Sequence, residues 1–472
     1  MTELDLAARA LGFTGGDAQV NVIRERSLHA RFARSAATQL TELDDVTVHV
    51  MALRDGQPGA ATTNRTDDDA LRDAAARATA AAEAAAKGGP GDHPGLPDPA
   101  PIRPHDGHDA ATAALDPATA AAALSAAFAA AREASGHSGA RRTAAAEGSR
   151  SAPSSGAEAF GIWSAAEVRT AIASSAGVAA LDAVTDVFLK VVVRDADGRS
   201  GMASGAAVAA GDVDPREVAA RAAGLMPRGE LGELPPGTYP VVLGHEAVGT
   251  LLGFLGGLAF NGMTHVEGRG ALSGRLGTRI AAACVNLSDS PRFPRTLPRA
   301  FDAEGVPKAP LPLVQDGVAH RVVHDLRSAA RAGGGARSTG HATVPGGSPM
   351  GPAPTNLVLV GGGAADEADL ARPVELGIFV NRVWYVNPVR EKETLLTGVT
   401  RDGTFLIEDG EIARPLRDVR FTDSILGLLE RTQALTAESR LVADAEFYGR
   451  RFATGTVCPA LRASGLRITG GT

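Results

Sequence analysis

The chain has 472 residues and a mass of 48.0 kDa, enough for two to four domains of ordinary size. With 44% apolar and 21% charged residues it is not a disordered chain, and a net charge of −7 without a basic block excludes a nucleic-acid platform. The longest uncharged apolar run, Val248 to Phe260, falls short of the roughly 20 residues a membrane-spanning helix needs.

Aromatic residues make up 4%, so the core has to come from Ala, Val, Leu and Ile, and 56 Gly with 28 Pro predict many turns. Two cysteines, Cys284 and Cys458, form no disulfide framework and fit a reducing cytoplasm. The acidic start MTELDLAARALGF lacks the basic and apolar regions of a signal peptide, and the expected location is cytoplasmic. Only Lys87, Lys190, Lys308 and Lys392 are lysines among 47 basic residues, which reflects genome composition rather than phosphate binding.

Along the chain, Thr47 to Ala52 (TVHVMA) alternates as a strand. A turn at Asp55-Gly56, a small-residue run (GAATTN) and a helix over Asp67 to Ala85 follow. Gly88 to Asp109 reads as a loop whose His93, His105 and His108 are solvated, and His137 belongs to a later loop of the same kind. Asp116-Pro117 opens an Ala-rich helix to Glu133, and 135–155 has the texture of a mobile loop. The first order then recurs: strand Val187 to Val193, turn DADG, small run SGMASG, and an Asp-started helix, Asp214 to Ala223, with Pro215 at its first position. Leu234-Pro-Pro-Gly-Thr is the expected domain boundary. Beyond it YPVVLG, NLVLVG, ELGIFVNRVWYVNPV and DGTFLIEDGEI are strand-like, with helices near Glu246 to Phe260 and Asp423 to Leu435. The expected fold class is α+β. An N-terminal α/β part of two related strand–helix units spans 1–235, and a β-rich part with one central helix spans 236–472.

His245-Glu246, at a strand-to-helix step, is the sharpest chemical feature. Zinc peptidases place such a pair on a helix, the His on the metal and the Glu as base, with a second His on the same face. Positions 249 and 250 hold Gly249 and Thr250 instead, so plain helix-start packing competes with catalysis here. Gly249, Gly253 and Gly257 form a stripe that admits close packing. His320 and His324 share a face at a spacing that suits metal ligation but also two surface residues, and His265 with Glu267 lies in a Gly-rich loop. Cys284 and Cys458 both read as buried thiols. No nucleotide fingerprint, GxSxG elbow or CxxC is present.

Three stretches together resemble the TldD/TldE (PmbA) family. Val241 to Leu252 (VVLGHEAVGTLL) is similar to the metal-binding helix of TldD proteins. Arg337 to Gly362 (RSTGHATVPGGSPMGPAPTNLVLVGG) resembles the TldE/PmbA branch, and Leu395 to Leu426 is the most specific match. The tail VCPALRASGLRITGG resembles the closing strand of the family. The resemblance implies zinc peptidases with HExxxH and a distant cysteine in TldD-like chains, and ligand-poor TldE-like chains that pair with them. Such a pair degrades unfolded peptides and trims modified ones, the substrate lying extended. His245 and Glu246 match the first His and the Glu. Thr250 replaces the second His, and the cysteine position falls near 445–448, where this sequence has none. The expectation is therefore a TldE/PmbA-like, metal-deficient subunit. No cofactor is expected in the isolated chain, His245 is a metal residue only if zinc binds at all, and zinc sits in a TldD-like partner. The expected partners are that subunit and an extended peptide, not nucleic acid or membrane. The alternatives are an active zinc peptidase in which His245 is joined by His265, His320, His324 or His341 with Glu246 as base, and a non-enzymatic regulator, since family names refer to DNA gyrase.

Overall fold

The computed structural model describes residues 1–136, 156–444 and 451–471. The N-terminal part runs α1 (Glu3–Leu11), β1 (Ala18–Ala33), β2 (Ala36–Arg54), β3 (Gln57–Thr63), α2 (Asp68–Ala86), α3 (Ala110–Ala113), α4 (Pro117–Gly136), β4 (Glu158–Ser174), β5 (Ala179–Arg194), β6 (Ser200–Ala207) and α5 (Pro215–Gly224). Its six strands form one antiparallel sheet in the order β3-β2-β1-β4-β5-β6. The recurring pattern of the sequence is thus two copies of a three-stranded meander with a helix. The copies meet at β1 and β4, which pair antiparallel from Gln19↔Ser174 to Phe32↔Gly161. Each copy starts its helix on an aspartate: Asp67 accepts from the Ala70 N–H at 3.1 Å, and Asp214 from the Arg216 N–H at 2.8 Å. The small-residue runs are strands β3 and β6. A Cβ at Gly59 would lie 2.1 Å from Ala82 N in α2, and one at Gly201 2.2 Å from Ala222 O in α5. Small residues there let helix and strand backbones touch.

Helices α1, α2, α4 and α5 cover one face of this sheet, where Val20, Val22, Leu28, Ala30 and Phe32 of β1 are buried against them. The other face closes on the C-terminal part and mixes buried apolar side chains, Ile23, Ala166, Val168 and Val184 among them, with polar ones. Gln19 and Asn21 donate to the Ala303 carbonyl at 2.8 and 2.9 Å. Glu25, Ser164 and Asp186 surround Arg451.

The C-terminal part runs β7 (Gly237–Leu243), α6 (His245–Ala259), α7 (Gly262–Val266), β8 (Leu287–Asp289), β9 (Leu311–Gln315), β10 (Val318–Ala319), α8 (Leu326–Ala332), β11 (Asn356–Leu359), α9 (Glu367–Ala371), β12 (Leu376–Arg390), β13 (Leu395–Glu408), β14 (Glu411–Pro415), β15 (Val419–Ser424), α10 (Ile425–Glu430), β16 (Thr432–Asp444) and β17 (Thr454–Gly471). Strands β7, β12, β13, β15 and β17 pair in a closed ring, since β7 joins β12 in parallel and β17 antiparallel. Closure removes exposed sheet edges. The apolar stripe of α6, including Val248, Leu251, Leu252 and Leu255, packs into the main core beside this ring. The α+β class holds, and the helices near 246–260 and 117–133 form as expected.

Several local expectations are corrected. The helix expected over Asp423 to Leu435 is six residues long, because the chain from Thr432 on pairs with β17 and ladder pairing outweighs the helix propensity of its Ala, Leu and Glu. Cys284 is exposed, in a turn. Residues 88–109 form a strap rather than a solvated loop. His93 is buried with Nε2 3.9 Å from Glu304, His105 pairs with Asp182 at 2.8 Å, and His108 with Glu167 at 3.0 Å. Asp92 binds Arg327 at 2.9 Å as well as Arg331, and Arg292 donates to the Arg103 and Pro104 carbonyls. His137 and, from residue 137 on, the loop expected at 135–155 lie outside the described residues.

The strap carries a pH prediction. Burial, and after it the Asp302 charge, raises the Glu304 carboxyl well above its ordinary range. A carboxyl raised on folding contributes stability at low pH and loses it as pH climbs from the unfolded value to the raised one. Glu304→Gln is therefore expected to stabilise the chain at pH 8 and to gain it little at pH 4.5. Urea midpoints at the two pH values decide this, and an equal effect at both would refute it.

Candidate functional site

The site is set by the step from β7 into α6. Gly244 caps the helix and donates its N–H to the Val380 carbonyl at 2.9 Å, so the first helical side chains, His245 and Glu246, emerge at a fixed point beside β12. His245 is buried at 7% exposure, and its Nδ1 lies 3.2 Å from Glu367 Oε1 at the start of α9. Burial works against ionisation of Glu367, but the His245 bond outweighs it and holds the carboxyl below its ordinary range. Glu246 Oε1 accepts the Ser204 N–H at 3.0 Å and the Ser204 hydroxyl at 2.6 Å, tying α6 to β6 of the first sheet. Nothing in the local sequence marks Glu367 or Ser204, since both arrive through tertiary packing.

The two positions that could carry a second helical imidazole are committed to packing. A Cβ at Gly249 would fall 2.5 Å from Val442 of β16, so any larger residue there would collide with that strand. Thr250 spends its hydroxyl on the Glu246 carbonyl at 2.8 Å. Gly253 and Gly257, the rest of the stripe, face open space. Cys458 is buried beneath the same turn and donates Sγ–H to the His245 carbonyl at 3.5 Å. Burial, and then the Glu246 charge, pushes its thiol far up, so it stays protonated. Residues 445–448 lie outside the described residues.

The other histidines are held elsewhere. His265 is in α7, and His320 is exposed just after β10. His324, in irregular backbone before α8, has Nδ1 3.1 Å from the Ser328 hydroxyl. His341 is buried with Nε2 3.1 Å from Asp289 Oδ1. Asp289 also takes the Thr355 and Asn356 N–H groups at 2.7 and 2.8 Å and lies 3.4 Å from buried Lys308. It thus pins the STGH stretch to the strand at Asn356. Among the described residues no group of three or more His, Cys, Asp or Glu side chains is arranged to hold a metal ion.

Two cavities flank the start of α6. One of about 460 Å³ contains His245, Glu246, Glu367 and Arg221. The other, about 590 Å³, is a cleft between the two parts of the chain. It is walled by Lys190 and Ser204 of the first sheet, Glu246 and Gly253 of α6, and Arg382 and Trp384 of β12. Glu246 stands between the two.

A PmbA/TldA metallopeptidase C-terminal domain model matches residues 236–470, and the first-domain model of the same family matches 18–82. A metalloprotease from Methanothermobacter thermautotrophicus is 26% identical over 213 residues, and the chain spans 44% of the length of that relative. The fold is similar to TldE from Thermococcus kodakarensis, with TM-score 0.82, 18% identity and 99% of both chains covered. A candidate modulator of DNA gyrase from Thermotoga maritima gives TM-score 0.81 at 18% identity, covering 99% of this chain and 100% of that one. At such identity these structures speak to the fold alone.

Proposed function

The chain belongs to the PmbA/TldA (TldD/TldE) metallopeptidase family, and on that premise we propose that it is the metal-deficient, TldE/PmbA-like subunit of a heterodimeric peptidase. Its partner is a TldD-like chain that carries the zinc, and the pair acts in the cytoplasm on extended, unfolded or modified peptides. The observation behind this reading is the donor set around His245. A catalytic zinc uses three protein ligands. Here one imidazole faces a glycine packed on Val442 and a threonine bonded to its own helix, and the nearby thiol is protonated and turned to a carbonyl. These residues do not fit a catalytic zinc, and no chemical step is assigned to them. Glu246 serves to tie α6 to β6 and so fixes the width of the cleft beside it. Among the described residues no helix is long and apolar enough to cross a membrane.

The test is zinc stoichiometry and peptide cleavage on the chain purified alone without chelators, then with a TldD-like partner. The expected result is far less than one zinc per chain and no cleavage alone, with chelator-sensitive cleavage by the pair. One tightly held zinc per isolated chain, with chelator-sensitive cleavage, would overturn the reading and return His245 and Glu246 to catalysis.

A further inference from the structure

A cavity of about 910 Å³ lies where β6, α5, the 88–109 strap and the turn at 291–296 meet. That volume is near the upper end for a small-ligand site. It shares Ser204 and Arg221 with the 460 Å³ cavity at His245, so the two adjoin. Val213 and Val218 at the α5 corner and Leu441 of β16 give it an apolar lining.

The turn at 291–296 brings two arginines to this cavity. Arg292 donates to the Arg103, Pro104 and Lys308 carbonyls at 2.7 to 3.1 Å, and Arg295 to the Ser439 carbonyl at 2.7 Å. Each of these acceptors is a neutral main-chain oxygen, and among the described residues no carboxylate bonds either guanidinium. Arg295 is exposed at φ +70°, a region uncommon outside glycine, and Phe293 between the two is 38% exposed. A guanidinium fork beside an aromatic ring suits a carboxylate carried by an apolar residue. The other charges of the lining are placed differently. Arg440 holds Glu438 at 2.9 Å, and Arg221 lies 3.5 Å from Glu217. Asp212 and Asp214 stand at the α5 corner and Asp106 on the strap, none of them ion-paired among the described residues. The cavity is thus bipolar, cationic along the turn and anionic along α5 and the strap.

We propose that this cavity anchors the C-terminal end of an extended peptide, with the free α-carboxylate on Arg295, the last side chain against Phe293 and a basic side chain upstream at Asp212. The inference rests on the peptide-directed reading above and names how the peptide is held and in which direction it runs. Capture of a terminal carboxylate is a recurring mode of peptide recognition. Because Ser204 lines both cavities, a peptide anchored here continues towards the start of α6.

Fluorescence anisotropy on the full chain tests this with heptapeptides labelled at the N-terminus, ending in Leu and carrying Lys upstream. The free-acid form is expected to bind about fivefold more tightly than the C-terminal amide, the reach of one well-placed exposed ion pair. The same acid with Glu in place of Lys should bind more weakly, and an amide with an internal Asp no better than the plain amide. Arg295→Gln should bring acid and amide to equal affinity, whereas Phe293→Ala should weaken both alike. In the unmodified chain 1 M NaCl should shrink the preference towards unity. Equal affinities of acid and amide, a preference that Arg295→Gln or salt leaves intact, a Glu peptide that binds as well as the Lys peptide, recovery by the internal Asp, or no binding of any peptide would overturn the proposal. None of these outcomes touches the zinc and cleavage measurements on which the subunit reading stands.

Discussion

Arg451→Met is expected to cost roughly 3–5 kcal/mol of folding stability, the range for breaking a buried ion pair from one side. Arg451 follows β16 and leads into β17, and its side chain is fully buried in the face of the first sheet that closes on the C-terminal part. Its Nε lies 3.0 and 3.1 Å from the two carboxyl oxygens of Asp186, a terminal nitrogen closes on the same carboxylate and reaches Ser164 at 3.2 Å, and its N–H donates to Glu25 at 2.8 Å. Methionine keeps most of the volume and leaves the Asp186 carboxylate buried without its guanidinium. The double change Arg451→Met with Asp186→Leu should recover much of the loss, because both charges then leave together. Denaturant midpoints of the single and double variants measure this. A single-variant cost below about 1 kcal/mol, the size of a surface pair, would mean that water reaches Asp186. The contact also matters for the cleft, since it joins β5, which carries Lys190, to the segment that leads into β17 beneath α6.

The same docking face explains which features were legible in the sequence. The two strand–helix units could be read because each is local: a strand, a tight turn such as Asp55-Gly56, a small-residue strand and an aspartate cap. His245-Glu246 was visible because a strand-to-helix step is also local. What joins the two parts was not. His93, His105 and His108 sit among Pro, Gly and Asp, a composition that usually means solvent, and their carboxylate partners lie 59 to more than 200 residues away. Cys284 erred in the opposite direction, since an Ala-rich context looks buried although the backbone there turns at the surface. Glu367 and Ser204 belong to the same group of tertiary partners. Local patterns gave the elements, while the contacts between the two parts and the partners of the candidate site depend on side chains far apart in the chain.

The second large effect separates the fold from the cleft. Gly201→Val is expected to destabilise by about 3 kcal/mol or more, at or beyond the upper end of ordinary overpacking. The added carbons meet main-chain atoms at the end of α5 and just beyond it, Ala222 O at 2.2 Å and Met226 N at 2.5 Å, so no side-chain rotation relieves the clash. Gly59→Val, its counterpart in the first unit, meets Ala82 N and Ala78 O of α2 at 2.1 and 2.4 Å and should cost a comparable amount. Gly224→Ala, where nothing lies within 4 Å, is the control and should be neutral or slightly stabilising. The two valine variants differ in what moves with the strand. Strand β6 carries Met202 and Ser204 into the cleft, and Ser204 holds Glu246 by two bonds, whereas β3 lies at the opposite edge of the sheet. Thermal midpoints should therefore fall together for the two variants while peptide affinity falls in Gly201→Val alone, measured below both midpoints. Equal losses of affinity would mean that the sheet moves as one body against α6, and that the Ser204–Glu246 contact does not by itself set the cleft.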